Sequence, residues 1–84
     1  MFNILLHKDV VKFLKFLDKE LQDRIKKKLR VLETDPYPAG CIKLAGTRNM
    51  FRLRVGNYRV LYYVDYDSST IVIDKIDKRS SVYN

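Results

Sequence analysis

Three arginines in one short stretch, Arg52, Arg54 and Arg59, are the residues of this chain best suited to chemistry. They stand in Arg52-Leu-Arg-Val-Gly-Asn-Tyr-Arg59, where basic and apolar residues alternate on either side of Gly56-Asn57. A guanidinium offers five N–H donors in a planar fork that matches phosphate oxygens, and it stays protonated at ordinary pH. Alternate residues of a strand lie about 7 Å apart, which suits successive phosphates of a nucleic-acid backbone. The chemistry this implies is recognition of a phosphodiester. The plainer reading is a solvated strand face.

The alternation also says what must position these groups. Period two marks a strand with one buried and one wet face, and a Gly-Asn pair between two such runs marks a two-residue hairpin. In that hairpin Val55 faces Tyr58, Arg54 faces Arg59 and Leu53 faces Val60. Two arginines then lie directly opposite each other, with Arg52 two residues along the same side. Like charges in that position are destabilising, so the cluster is expected to face something anionic. Phe51, Leu53, Val55, Tyr58, Val60, Tyr62 and Val64 share the other face and are expected to pack on helices. Arg52, Arg54, Arg59 and Tyr63 are left on the outer face.

The helices come earlier in the chain. Val10, Leu14 and Leu17 recur at helical spacing, with Val11 and Phe13 widening the stripe. Leu21, Ile25, Leu29 and Leu32 form a second amphipathic stripe of about four turns. Asp18 is the expected N-cap between them. Asp35-Pro36-Tyr37-Pro38 ends the second helix, because proline cannot continue it. Residues 1–6 read as a first strand, and Ile42–Leu44 as a short extended piece. Strands are expected over Met50–Val55, Tyr58–Asp65 and Thr70–Ile76, the last central in the sheet. The result is one domain spanning 1–84, an α+β fold of order β-α-α-β-β-β with a helical hairpin on one face of an antiparallel-rich sheet.

Composition narrows the partners. The 84 residues carry 17 Lys and Arg against 10 Asp and Glu, a formal charge of +7. Such a balance suits nucleic acid, an acidic protein or an anionic surface. From Pro36 to Val64 there are five basic residues, Lys43, Arg48, Arg52, Arg54 and Arg59, and no acidic one. Lys43 and Arg48 are therefore candidates for contacts to a nucleic-acid backbone. Lys26, Lys27, Lys28 and Arg30 on the second helix are further candidates, although charge on an outer helix face often does no more than solvate it. Cys41 is the only cysteine, so no disulfide or cysteine-pair metal motif is expected. The apolar start is far too short to span a membrane. No cofactor, metal or membrane partner is expected, and the cytoplasm is the expected location. His7, the single histidine, reads as structural.

The chain as a whole resembles the RelE/ParE superfamily of toxins. The resemblance rests on the element order, Lys43-Leu-Ala-Gly46, the run Met50-Phe-Arg-Leu-Arg-Val-Gly-Asn-Tyr-Arg-Val-Leu-Tyr62, and the terminal Lys78-Arg-Ser-Ser-Val-Tyr83. It implies the toxin of a type II toxin–antitoxin pair. RelE-type members cut messenger RNA on the ribosome without a metal, by attack of a ribose 2′-hydroxyl on the adjacent phosphate. ParE-type members inhibit DNA gyrase instead. A passive RNA-binding module is a third reading, from the charge alone. The RelE-type resemblance places the working residues at Arg52, Arg54, Arg59, Arg79 and Tyr83, with Lys78 as a candidate acid. Well-known RelE-type enzymes have lysines at the first two positions, and many members have histidine at the position of Lys78. An arginine is a poor general base, so Tyr83 is the expected base here, its phenolate favoured by cationic neighbours. The partner implied is an acidic RelB-like antitoxin that folds as it wraps the toxin, alongside ribosome and mRNA.

Overall fold

Polar side chains set where the two helices begin. The computed structural model describes residues 1–78, in which β1 (Asn3–Leu6) leads into α1 (Lys8–Lys15) and α2 (Lys19–Val31). His7 caps α1, its Nδ1 accepting from the Asp9 amide at 3.1 Å. Asp18 caps α2, its Oδ1 accepting from the Leu21 amide at 2.8 Å. Each bond satisfies one of the amides that a helix start leaves without a partner. Asp18→Ala is therefore expected to cost about 1 kcal/mol, read as a lowered urea midpoint at unchanged slope.

After the Pro36–Pro38 loop come β2 (Ile42–Lys43), β3 (Met50–Val55), β4 (Tyr58–Asp65) and β5 (Thr70–Lys78). They form a five-stranded sheet in the order β1-β5-β4-β3-β2. Only the β1–β5 pair is parallel. This is the expected α+β architecture, with β5 interior between β1 and β4.

The β3–β4 register is the one the hairpin turn dictates: Val55 faces Tyr58, Arg54 faces Arg59 and Leu53 faces Val60. Gly56 has φ +59°, and Ser69 is the only non-glycine at positive φ among the described residues. Asn57 is therefore at negative φ, the pattern of a two-residue II′ turn, whose twist matches the strands.

One sheet face buries Leu53, Val55, Val60, Tyr62, Val64, Ile71, Ile73 and Ile76 against Val10, Leu14, Ile25, Leu29 and Leu32. Phe13, Leu17, Leu21, Phe51 and Tyr58 flank this core half-buried. Val11 departs from expectation: it lies on the edge of the α1 stripe and stays exposed.

The last strand runs two residues beyond the expected Ile76, and it is interrupted. Tyr62 pairs with Ile73, but Leu61 pairs with Lys75, so Asp74 is an extra residue. Such a bulge shifts the alternation by one position. It brings Ile76, not Lys75, into the core.

Candidate functional site

Cross-strand partners share a face, so the register builds the outer surface row by row. Arg54, Arg59 and Asp77 form one row across β3, β4 and β5. Ile42, Arg52, Leu61 and Lys75 form the next, and Met50, Tyr63 and Val72 the one after. Arg54 is exposed, whereas Arg52 and Arg59 are half-buried. The structure thus brings Arg52, Arg54 and Arg59 onto one face from two strands, as their spacing predicts.

Asp77 is the site residue that the acid-free stretch conceals. Its Oδ1 accepts from Arg59 Nε at 3.1 Å, and its Oδ2 lies 3.7 Å from Lys75 Nζ. Both side chains of the Arg59–Asp77 pair are about 30% accessible, so water screens the pair only in part. The contact uses one of the five N–H donors of the guanidinium and fixes the plane of the fork. The sequence carried a signal for this. Isoleucines at 71, 73 and 76 break period two after Ile73, which marks the bulge. Without it, Ile76 would face Arg59 and Asp77 would turn toward the helices.

The remaining candidates divide by position. Lys78 pairs with Tyr58, on the alternation that faces the helices, so its Cβ projects from the opposite side of the sheet to Asp77. Lys43, opposite Phe51, is likewise on the helix-side alternation, and Arg48 lies exposed in the loop before β3. The basic run of α2 splits between two flanks. Lys26 and Arg30 border a groove with Ile4, Leu6 and Glu33 beside β1. Lys27 and Lys28 lie on the other side, toward Arg54. Arg79 and Tyr83 are outside the described residues.

The tyrosines serve chiefly the structure. Tyr62 is fully buried, stacks on Phe51 at 5.9 Å between ring centres, and donates its hydroxyl to the Pro36 carbonyl at 2.8 Å. Burial, then a hydrogen bond with Cys41, pushes its phenol well above the ordinary tyrosine range. Tyr37 and Tyr66 share a 2.6 Å hydrogen bond between hydroxyls, and that bond, followed by desolvation, pushes the Tyr37 phenol up to about 12. Tyr58 packs edge-on against Phe13. Of the described tyrosines, Tyr63 alone lies in the rows of the outer face.

Residues 4–83 match the family model for the ParE toxin of the type II toxin–antitoxin system parDE. A Methanocaldococcus jannaschii protein carrying the name toxin RelE1 is 35% identical over 98% of this chain and 94% of its own length. The archaeal RelE–RelB complex from Pyrococcus horikoshii contains a chain that superposes with a TM-score of 0.84 at 35% identity, over 95% of this chain and 97% of that one. The isolated E. coli RelE toxin has the same fold, with a TM-score of 0.83 at 22% identity, over 99% of this chain and 92% of that one. With this sheet, this helical hairpin and this arginine-bearing face, the chain belongs to the RelE/ParE superfamily of type II toxin–antitoxin toxins.

Proposed function

We propose that the chain is a RelE-type toxin: a ribosome-dependent, metal-independent endoribonuclease acting on messenger RNA in the cytoplasm. The observation that carries this reading is Arg54 standing directly opposite Arg59 on the outer face, with Arg52 beside them. Like charges so placed favour an anionic ligand. The RelE names and the RelB complex among the similar proteins support the same reading.

Cleavage by transesterification needs a base for the 2′-hydroxyl, cations for the charge that builds on the phosphorane oxygens, and a proton for the departing 5′-oxygen. The 2′-oxygen bonds to phosphorus, the bond from phosphorus to the 5′-oxygen breaks, and a 2′,3′-cyclic phosphate remains. In this scheme Arg59, oriented through its Nε by Asp77, and Arg79 hold the scissile phosphate. Arg52 and Arg54 hold flanking phosphates. Tyr83 takes the 2′-proton. The register turns Lys78 toward the helix side, so no step is assigned to it, and solvent water gives the departing 5′-oxygen its proton. The ribosome holds the message in line for attack, supplying orientation rather than proton transfer.

Arg79→Ala and Tyr83→Phe are each expected to slow cleavage of ribosome-bound message at least about tenfold. Undiminished cutting by both would discard the scheme. Neutralisation falls to an acidic RelB-like antitoxin that covers the arginines. The ParE family match favours a second reading, inhibition of DNA gyrase. Supercoiling assays separate the two, because a gyrase inhibitor blocks supercoiling and leaves message intact.

A further inference from the structure

We infer that the cleft between α2 and the tip of the β3–β4 hairpin is a second anion site, built for the phosphodiester backbone of RNA. This rests on the proposed reading that RNA is the ligand, and it extends the contact surface around the edge of the sheet.

Arg24, Lys27, Lys28 and Val31 fall at i, i+3, i+4 and i+7 on one flank of α2. That spacing stacks them on a single helix face. Across from them stand Arg54, Val55 and Gly56 at the end of β3, enclosing a cleft of about 430 Å³. Two valines and the aliphatic stems of the lysines supply its apolar lining. Four cations from two elements line it and no carboxylate does. Among the described residues, none of the four forms an ion pair. Like charges at helical i, i+4 spacing, here Arg24 and Lys28, repel each other.

The hairpin turn completes the cleft. A Cβ built on Gly56 would stand 3.2 Å from Arg24 Nη2, so the guanidinium of Arg24 lies over the bare turn. Gly56 thus serves the turn and leaves the mouth of the cleft without a side chain. Arg54 belongs to both surfaces, lining the cleft and standing opposite Arg59 on the outer face. A backbone leaving the arginine row therefore meets the cleft without crossing an acidic side chain. This continuity favours a polymer of phosphates over an acidic peptide.

The phosphates have two sources, the message beyond the cut and the structural RNA of the ribosome. The test is the triple variant Arg24→Ala, Lys27→Ala, Lys28→Ala, probed with 2′-O-methyl RNA, which lacks the attacking hydroxyl. An RNA of about three nucleotides covers only the arginine face, and one of about twelve reaches beyond it. For a message track, the long RNA binds the variant with a salt slope lowered by about two, roughly 0.7 per lost phosphate contact, whatever its sequence. The short RNA binds as before. Weakened binding to empty ribosomes with long-RNA binding intact also supports the site and names ribosomal RNA as the source.

Loss confined to poly-glutamate binding overturns the inference in favour of an acidic protein. No loss with any probe overturns it outright. Because this RNA cannot be cut, failure of the cleavage chemistry leaves the binding result standing. A companion variant with Arg24→Lys, Lys27→Arg and Lys28→Arg keeps every charge and is expected to bind as the parent does, and unchanged short-RNA binding by the alanine variant excludes a folding defect as the cause of loss.

Discussion

Arg59→Ala is expected to slow the cleavage step on ribosome-bound message about a hundredfold, the loss typical of removing one donor from a site where negative charge develops. Arg59 sits on β4, the central strand, and its guanidinium is oriented through Nε by Asp77. A group fixed in advance does not reorganise as charge moves onto the phosphorane, so its contribution falls on the chemical step. Arg52 has no such role in the scheme. Its loss is expected to raise KM and leave kcat nearly unchanged, the mark of binding shared by ground and transition states.

Asp77 provides the sharper control. Asp77→Asn keeps an oxygen that can accept from Arg59 Nε and removes a negative charge beside the bound phosphate. A lower KM with kcat retained is expected. Asp77→Ala removes the acceptor as well, and kcat is expected to fall. Single-turnover cleavage on programmed ribosomes, titrated with toxin up to saturation, reads both parameters for all four variants. Parental rates for Arg59→Ala would remove Arg59 from the chemistry.

How much of this surface could be read in advance depended on how local its causes are. The pairing of Arg54 with Arg59 was legible because a two-residue turn fixes register within six residues. Asp18 was legible as a cap because its bond reaches only three residues along the chain. The place of Arg52 on the outer face followed from the same parity. The Arg59–Asp77 contact spans 18 positions and depends on a bulge in a strand pair joined by a longer turn. Parity counted from that turn places Asp77 on the wrong face. The split of the α2 charge run had a local cause, the 3.6-residue period. Which flank would meet Arg54 did not, because that follows from how α2 lies over β3. Arg24 opens that basic run, and its place beside the hairpin has no local signal. It reads as one more surface cation until the hairpin tip is placed beneath it.

Tyr62→Ala is expected to cost about 3–5 kcal/mol, the range for deleting a buried aromatic ring. An 84-residue domain has about 4–13 kcal/mol of stability in all, so the loss takes a large share of it. Tyr62 is fully buried in the central strand, stacks on Phe51, and ties the Pro36–Pro38 loop to the sheet through its hydroxyl. Tyr62→Phe is the informative partner. It keeps the ring and loses one hydrogen bond, at about 1 kcal/mol near neutral pH.

Above pH 10 the ranking changes. An unfolded tyrosine releases its proton near pH 10, while burial holds the proton on folded Tyr62 well beyond that. The unfolded state then binds fewer protons than the native state, so unfolding becomes easier as pH rises, by up to about 1.4 kcal/mol per pH unit for this group. Tyr37 adds loss in the same direction between pH 10 and about 12. Stability of the parent protein is therefore expected to drop steeply above pH 10, and that of Tyr62→Phe to drop less steeply, so that the two urea midpoints converge as the solution becomes more alkaline. Parallel curves for the two proteins would mean that the Tyr62 phenol ionises in the native state as readily as in water, which its burial against the core does not allow.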